Sequence, residues 1–129
     1  GQILDLYLDL QLQTNKRILT EGFGIEAKSS KQQRLYWSKN FRDGQIDGLV
    51  QFCRDTGRTP LVAIEHCRGQ GYPRKAYLMH ADVVQEKKES GEKGITVDEQ
   101  LLEDDRVIML GKDGSDYVIT DEWSRFLQP

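Results

Sequence analysis

The chain is poor in cysteine and contains no long hydrophobic run. Its two cysteines, Cys53 and Cys67, are too few for a disulfide framework in 129 residues, so a reduced, cytoplasmic setting is expected. The hydrophobic stretches are all short, so no transmembrane helix is expected. No secretory signal, internal repeat or long linker is visible. We therefore expect one soluble domain over residues 1–129 with no membrane partner.

Charge is unevenly distributed along the chain, although the net charge is only −3. Residues 1–80 carry a balance of +4 and residues 81–129 one of −7. Positive charge is densest from Lys28 to Arg42, where aromatic residues alternate with the cations ("RLYWSKNF"). A basic run is often only a solvated face, but interleaved aromatic residues favour nucleic-acid binding. We expect phosphate contacts from several of six residues: Lys31, Arg34, Lys39, Arg42, Arg74 and Lys75.

The spacing of the apolar residues predicts an α/β domain with a mixed sheet. "ILDLYLDLQLQ" alternates as a half-buried strand does, and "ILTEGFGIEAKS" predicts a second strand. Ile46, Leu49, Val50 and Cys53 have helical spacing and predict an amphipathic helix that ends near Gly57. "LVAIEHC" and "AYLMHADVV" predict further strands, and "QEKKESGEKG" a mobile loop. Towards the end we expect a short helix in "VDEQLLEDD", a hairpin from "RVIML" and "DYVIT", and a closing helix in "DEWSRFLQ".

The first two predicted strands bring acidic residues and a lysine to one face. A two-residue turn at Asn15-Lys16 would place Asp5 directly opposite Glu26. Residues i and i+2 of a strand share a face, so Glu26 and Lys28 lie side by side. The pair could be a surface salt bridge, or the Glu-x-Lys half of a metal-dependent nuclease site.

Two carboxylates opposed across a hairpin offer the hard oxygen ligands that Mg²⁺ or Mn²⁺ prefers. Such an ion can polarise a phosphoryl oxygen and activate water, and a neighbouring lysine can stabilise the developing charge. In the expected register Asp5 is the second ligand beside Glu26, because Asp9 would face Gly22 instead. Asp5 and Asp9 remain the two alternatives, and both could be solvent-face residues of an edge strand.

The segment "EAKSSKQQRLYWSKNFRDGQIDGLVQFCRDTGRTPLVAIEH" resembles the core of RecU-type Holliday-junction resolvases, within the PD-(D/E)xK nuclease superfamily. The resemblance is carried by Glu26-Ala27-Lys28, then Asn40-Phe41, and then Gln45-Ile46 at the start of a helix. It covers about a third of the chain, from Glu26 to His66. One position departs from the family pattern: Gln13 stands where an aspartate is usual.

The resemblance implies a restriction-endonuclease-like mixed β-sheet flanked by helices. It also implies an Mg²⁺- or Mn²⁺-dependent endodeoxyribonuclease that resolves four-way DNA junctions in recombination and repair, in a bacterial or phage setting. Glu26 would be a metal ligand, Lys28 the catalytic lysine and Gln45 an active-site helper, with Asp5 completing the catalytic set. Cleaving two strands symmetrically calls for two active sites, so a homodimer is expected.

Two alternatives remain open at this point. One is a restriction-like or repair nuclease that acts on linear or nicked DNA. The other is a catalytically silent DNA-binding module, which Gln13 makes plausible. Cys53 fits the buried stripe of the predicted helix rather than a metal or nucleophile site, and we expect His80 to be structural.

Overall fold

A five-stranded mixed sheet lies at the centre of the fold, with its strands in the order β2 (Lys16–Leu19), β3 (Phe23–Ser30), β5 (Thr59–His66), β6 (Lys75–His80) and β8 (Val107–Met109). The computed structural model describes residues 6–8, 16–20, 22–113 and 116–119. The predicted α/β class with a mixed sheet and flanking helices is confirmed at this level. In chain order the elements are β1 (Leu6–Leu8), β2 (Lys16–Leu19), β3 (Phe23–Ser30), β4 (Arg34–Tyr36), α1 (Trp37–Asn40), α2 (Gln45–Thr56), β5 (Thr59–His66), β6 (Lys75–His80), α3 (Ala81–Glu89), β7 (Gly94–Thr96), a 3₁₀ helix (Glu99–Glu103), β8 (Val107–Met109), β9 (Gly111–Asp113) and β10 (Asp116–Ile119).

Helix α2 is the last of three elements, after β4 and α1, that connect β3 to its parallel neighbour β5. The helix buries Ile46, Leu49 and Cys53, the stripe that their spacing predicted. It ends at Gly57, whose backbone has φ of 70° and whose N–H donates to the carbonyl of Cys53. Helices commonly end at a residue in the left-handed conformation, and glycine is favoured there because it adopts this conformation without steric cost. The predicted helix and its end are therefore confirmed.

The hairpin that contains β3 has a different register from the one predicted. β2 pairs with β3 so that Arg17, not Asp5, lies opposite Glu26. The turn forms around Thr20, which accepts the Phe23 N–H with its hydroxyl at 3.0 Å and donates its own N–H to the Phe23 carbonyl at 2.9 Å. The prediction that the turn lies at Asn15-Lys16 is wrong, because Lys16 is already in β2.

The leucine-rich first strand belongs to a separate sheet. β1 pairs with β10, which in turn pairs with β9, in a three-stranded antiparallel sheet. It does not pair with β3, so the expected two-strand arrangement of these segments is wrong. The hairpin predicted from "RVIML" and "DYVIT" is formed instead by β9 and β10, while β8 joins β6. The expected closing helix in "DEWSRFLQ" lies outside the described residues.

The segment "AYLMHADVV" divides at His80 into a strand and a helix. β6 ends at this residue, and its imidazole Nδ1 accepts the N–H of Asp82 at 3.1 Å, so that it caps α3. A side chain that accepts a first-turn N–H satisfies one of the unpaired donors of a helix start. The predicted strand is thus wrong beyond His80. The expected loop "QEKKESGEKG" is wrong in its first half, which continues α3 to Glu89.

The two faces of the central sheet carry separate apolar clusters. One face packs against α2, α3 and the β4–β7 pair, through residues such as Ile46, Val84 and Ile95. The other includes Ile25, Leu78 and, from β10, Tyr117. None of the helices in the described part of the chain is long and apolar enough to cross a bilayer. The alternation along β3 therefore sends Ile25 and Ala27 to the second face and leaves Glu26 and Lys28 towards α2.

Candidate active site

Two charged side chains of β3 are buried beneath helix α2. Glu26 and Lys28 are each only 2% exposed. Charged residues are rarely buried to this extent unless they are paired and hydrogen-bonded, because leaving water is costly for an ion. The expectation that the two residues share one face is confirmed by their position on the strand. This degree of burial excludes a trivial surface salt bridge.

The carboxylate of Glu26 is held from two sides. Arg17, its cross-strand neighbour, donates Nε–H to Oε1. Gln45, the first residue of α2, donates its amide Nε2–H to Oε2 at 3.1 Å. The amide oxygen of Gln45 accepts the backbone N–H of Arg42 at 3.1 Å. Glu26 is thereby fixed in one orientation by groups from a strand and from a helix.

The ammonium group of Lys28 lies against an aromatic ring. Its Nζ is 4.7 Å from the ring centroid of Phe41, within the range of a cation–π contact. Burial lowers the pKa of Lys28, the Glu26 carboxylate partly opposes this change, and the Arg42 guanidinium adds to it. Desolvation is the first cause, as expected for an ammonium group taken out of water. The environment of Lys28 is therefore that of a buried, largely desolvated ammonium group.

An open cleft of about 460 Å³ leads to this cluster. Its lining includes Arg17, Glu26, Arg42, Asp43 and Gln45. Sequence reasoning assigned no role to Arg17 or Asp43. Arg17 could have been found only from the correct hairpin register. Asp43 directly precedes the Gly44-Gln45 start of α2, so its position follows from the helix boundary.

A divalent cation at this cleft would find a limited set of protein ligands. In residues 6–8, 16–20, 22–113 and 116–119 no group of three or more His, Cys, Asp or Glu side chains could hold a metal ion. Asp5, Asp9 and Gln13 lie outside these residues. Mg²⁺ is usually held by one or two carboxylates together with substrate phosphates and water. The buried carboxylate of Glu26, with Asp43 in the same cleft, fits an ion that is held in this way, but not a closed protein cage.

Two cations of the basic segment lie against an exposed aromatic ring. Tyr36 is 41% exposed, and the guanidinium carbon of Arg34 and Nζ of Lys39 lie 5.3 and 5.8 Å from its ring centroid. Arg34 also donates to the Thr96 hydroxyl at 3.0 Å, which ties β4 to β7. The combination of an exposed ring and neighbouring cations is suited to a base and a phosphate.

The six cations that were expected to contact phosphate do not form one patch. Arg42 lines the cleft, whereas Lys31 is exposed in the turn between β3 and β4. Arg74 and Lys75 lie at the start of β6, where Lys75 pairs with His66 at the end of β5. The charge of Arg74 acts on Tyr117, a residue of the second face. These two residues therefore belong to another part of the molecule than the Glu26 cleft.

A second buried carboxylate lies on the opposite face of the sheet. Glu65 is 2% exposed and accepts hydrogen bonds from the hydroxyls of Ser29 at 2.9 Å and Tyr117 at 2.7 Å. Burial raises the pKa of Tyr117, and its hydrogen bond to Glu65 acts in the same direction. Glu65 links β10 to the central sheet, so its environment is that of a structural contact.

A comparison of the chain with models of protein families, with curated proteins and with solved structures finds no match.

Proposed function

We propose that the chain is a metal-dependent nuclease acting on branched DNA, with Glu26 and Lys28 at its centre and a restriction-endonuclease-like fold. The observation that carries this proposal is the burial of both residues, at 2% exposure each, on one face of β3 below an open cleft. A carboxylate that lines a cleft and a lysine buried on the same face of the strand can act on a phosphodiester, one as a metal ligand and the other through its charge. The Glu-x-Lys spacing and the resemblance to RecU-type resolvases agree with this role.

Each residue of the cleft has a distinct task in the proposed reaction. Glu26 would hold a Mg²⁺ or Mn²⁺ ion, and Gln45 would keep its carboxylate oriented through the 3.1 Å hydrogen bond. When bound, the ion polarises a phosphoryl oxygen and lowers the pKa of a coordinated water. Lys28 would stabilise the negative charge that develops on the phosphoryl group, and Arg42 would hold a phosphate at the mouth of the cleft.

The substrate is proposed from the charged and aromatic surface formed by the basic segment. Tyr36, with Arg34 and Lys39 next to its ring, suits a strand whose bases are not continuously stacked. Four-way junctions offer such positions at the crossover, and two symmetric cuts would require a homodimer. Cytoplasmic DNA recombination and repair are the processes that need this activity.

One contact favours a second candidate, a DNA-binding module without activity. Both oxygens of Glu26 already accept hydrogen bonds, from Arg17 and from Gln45. Arg17 places a positive charge against Oε1, so a carboxylate that kept this ion pair would bind a cation weakly. The remaining alternative is a nuclease that acts equally on linear DNA. The comparison of a four-way junction with a linear duplex, described next, distinguishes it from a junction-specific nuclease.

The test is cleavage of a synthetic four-way junction with Mg²⁺, compared with a linear duplex of the same sequence. Lys28→Met should lower the cleavage rate about 10²–10³-fold, the effect of removing one charge-stabilising donor. Glu26→Gln should lower it at least as much, with junction binding retained within a few-fold. Glu65→Gln is the matched control, because Glu65 is equally buried but on the other face of the sheet.

The outcomes separate the three candidates. Junction cleavage that Glu26→Gln and Lys28→Met abolish, and Glu65→Gln preserves, supports the proposal. Equal cutting of the linear duplex favours the restriction-like alternative, and binding without cutting favours the silent module. Wild-type cleavage by either cleft variant would show that the Glu-x-Lys pair is not the active site.

A further inference from the structure

A cavity of about 410 Å³ lies beside the cleft that contains Glu26. The rings of Trp37 and Phe41 and the side chain of Ile46 form its apolar part. Arg42, Asp43 and Lys88 lie at its charged part, and all three are exposed. Its volume is within the range of small-ligand sites, which combine apolar walls with a few polar groups.

The aromatic walls of this cavity are fixed in position. The indole Nε1–H of Trp37 donates to the carbonyl of Glu92 at 2.7 Å, and the Trp37 backbone N–H donates to the carbonyl of Lys93 at 3.1 Å. The rings of Trp37 and Phe41 meet edge to face, with centroids 5.3 Å apart and planes at 62°. Ring positions held in this way lose little freedom when a flat ligand stacks on them.

The cavity and the cleft are neighbours that share two residues. Arg42 and Asp43 line both spaces. Phe41, which lines the cavity, also lies against Lys28, whose Nζ is 4.7 Å from its ring centroid. A ligand that placed a phosphate at Arg42 would thus have its adjoining group within reach of the aromatic walls.

We propose that this cavity binds an unstacked nucleobase of the DNA strand whose phosphate enters the Glu26 cleft. The aromatic rings would stack on the base, Arg42 and Lys88 would contact the adjoining phosphates, and Asp43 would accept a hydrogen bond from a ring or exocyclic N–H. This inference rests on the proposed function and adds a substrate requirement to it. Nucleotides that are unpaired or easily unpaired, as at a junction or flap, bind better than those in a continuous duplex, because their bases need not be unstacked first.

The test uses Trp37 fluorescence in a Trp123→Phe background, which leaves Trp37 as the single tryptophan of the two in the chain. The probe is a thymidine oligonucleotide roughly eight nucleotides long, in EDTA so that no cleavage occurs. Its matched control is an abasic oligonucleotide of the same length and charge. Stacking contributes about 1–3 kcal/mol per base, so the abasic strand should bind about 5-fold to 150-fold more weakly and leave Trp37 emission unchanged.

A pair of variants tests the cavity itself. Ser38 also lines it and is exposed, so Ser38→Leu should fill part of the space and reduce the difference between the two oligonucleotides. Gln51→Leu places the same side chain on an exposed position of α2 outside the cavity, and should leave the difference intact.

Equal affinity for the two oligonucleotides with constant Trp37 emission would overturn the base-binding site while leaving DNA binding in place. Failure to bind either strand would overturn this inference, and the junction cleavage assay then decides separately whether the proposed function survives. Quenching by the thymidine strand alone, reduced in Ser38→Leu, is the expected result.

Discussion

Replacing Gly24 with alanine is expected to push helix α2 away from the central sheet. A Cβ atom at this position would lie 2.5 Å from the Sγ of Cys53 and 3.4 Å from Cδ1 of Leu49. Restoring an ordinary contact of at least 3.4 Å to the sulfur requires a shift of about 1 Å. Cys53 is fully buried in the apolar stripe of α2, so the sulfur has little room to move alone.

The magnitude follows from two opposing effects. Inserting a methyl group into a packed core costs about 1–3 kcal/mol. Alanine in a strand recovers about 0.5–1 kcal/mol relative to glycine, because it restricts the unfolded chain. The two ranges combine to a loss of about 0–2.5 kcal/mol in the free energy of unfolding. The overlap at 2.5 Å with a buried sulfur favours the larger cost, so we expect Gly24→Ala to lose about 1–2 kcal/mol, or about 4–8 °C in Tm.

The assay is urea unfolding of a double-mutant cycle with Cys53→Ala. The single Cys53→Ala variant should lose about 1 kcal/mol, since it leaves a small cavity. In the double variant the new methyl group occupies the space that the sulfur vacates. The loss in the free energy of unfolding should therefore be smaller than the sum of the two single losses by about 1–2 kcal/mol. Gly48→Ala is the control, because a Cβ there meets no atom within 4 Å, and helix propensity should then raise stability.

Two results would refute this reasoning. One is a Gly24→Ala variant as stable as the wild type. The other is strict additivity in the cycle, which would mean that the methyl group and the sulfur do not compete for the same space.

Two further predictions concern buried polar groups. Burial lowers the pKa of His80, with Asp82 and Glu86 opposing the shift and Arg106 adding to it. The folded state therefore favours the neutral form of His80 more than the unfolded chain does, so its contribution to stability is complete above about pH 6.5 and is lost as the pH falls. His80→Asn, which retains a capping side chain, should flatten the decline in urea midpoint between pH 7 and pH 5; an unchanged slope would contradict the assignment. Tyr117→Phe removes the 2.7 Å hydrogen bond to Glu65 and should cost about 1–3 kcal/mol by urea unfolding. Tyr72 is exposed, so Tyr72→Phe should change the free energy of unfolding by less than about 0.5 kcal/mol. Equal effects of the two variants would contradict a stabilising role of the buried Tyr117 hydroxyl.

Local periodicity was enough to predict the elements that surround the candidate site. The spacing of Ile46, Leu49 and Cys53 specified the buried stripe of α2, because a helix packed on a sheet needs one apolar face. The i, i+2 spacing of Glu26 and Lys28 likewise specified that they share a face of β3. Gln45 was assigned by resemblance to a known family, and its contact with Glu26 agrees with a place beside that residue.

Pairing between strands could not be predicted in the same way. The choice of turn depended on whether Asn15-Lys16 or the residues around Thr20 reverse the chain, and both have suitable side chains. A shift of the turn exchanges Asp5 for Arg17 opposite Glu26 without changing the local pattern of either strand. The cap formed by His80 posed a similar difficulty, because a strand and a helix meet there within one apolar run.

The strand–helix–strand segment β3–α2–β5 has a consequence for the order in which the molecule assembles. It occupies the continuous residues 23–66, and of the described cleft residues Arg17 alone comes from outside it. The chain entropy lost in forming the β3–β5 contact is set by the connection over residues 31–58, through β4, α1 and α2, and not by the length of the flanking segments. A ribosome that has released this one segment has supplied nearly every group needed to build the cleft. Arg17, which precedes it in the chain, is by then already available to close the contact with Glu26.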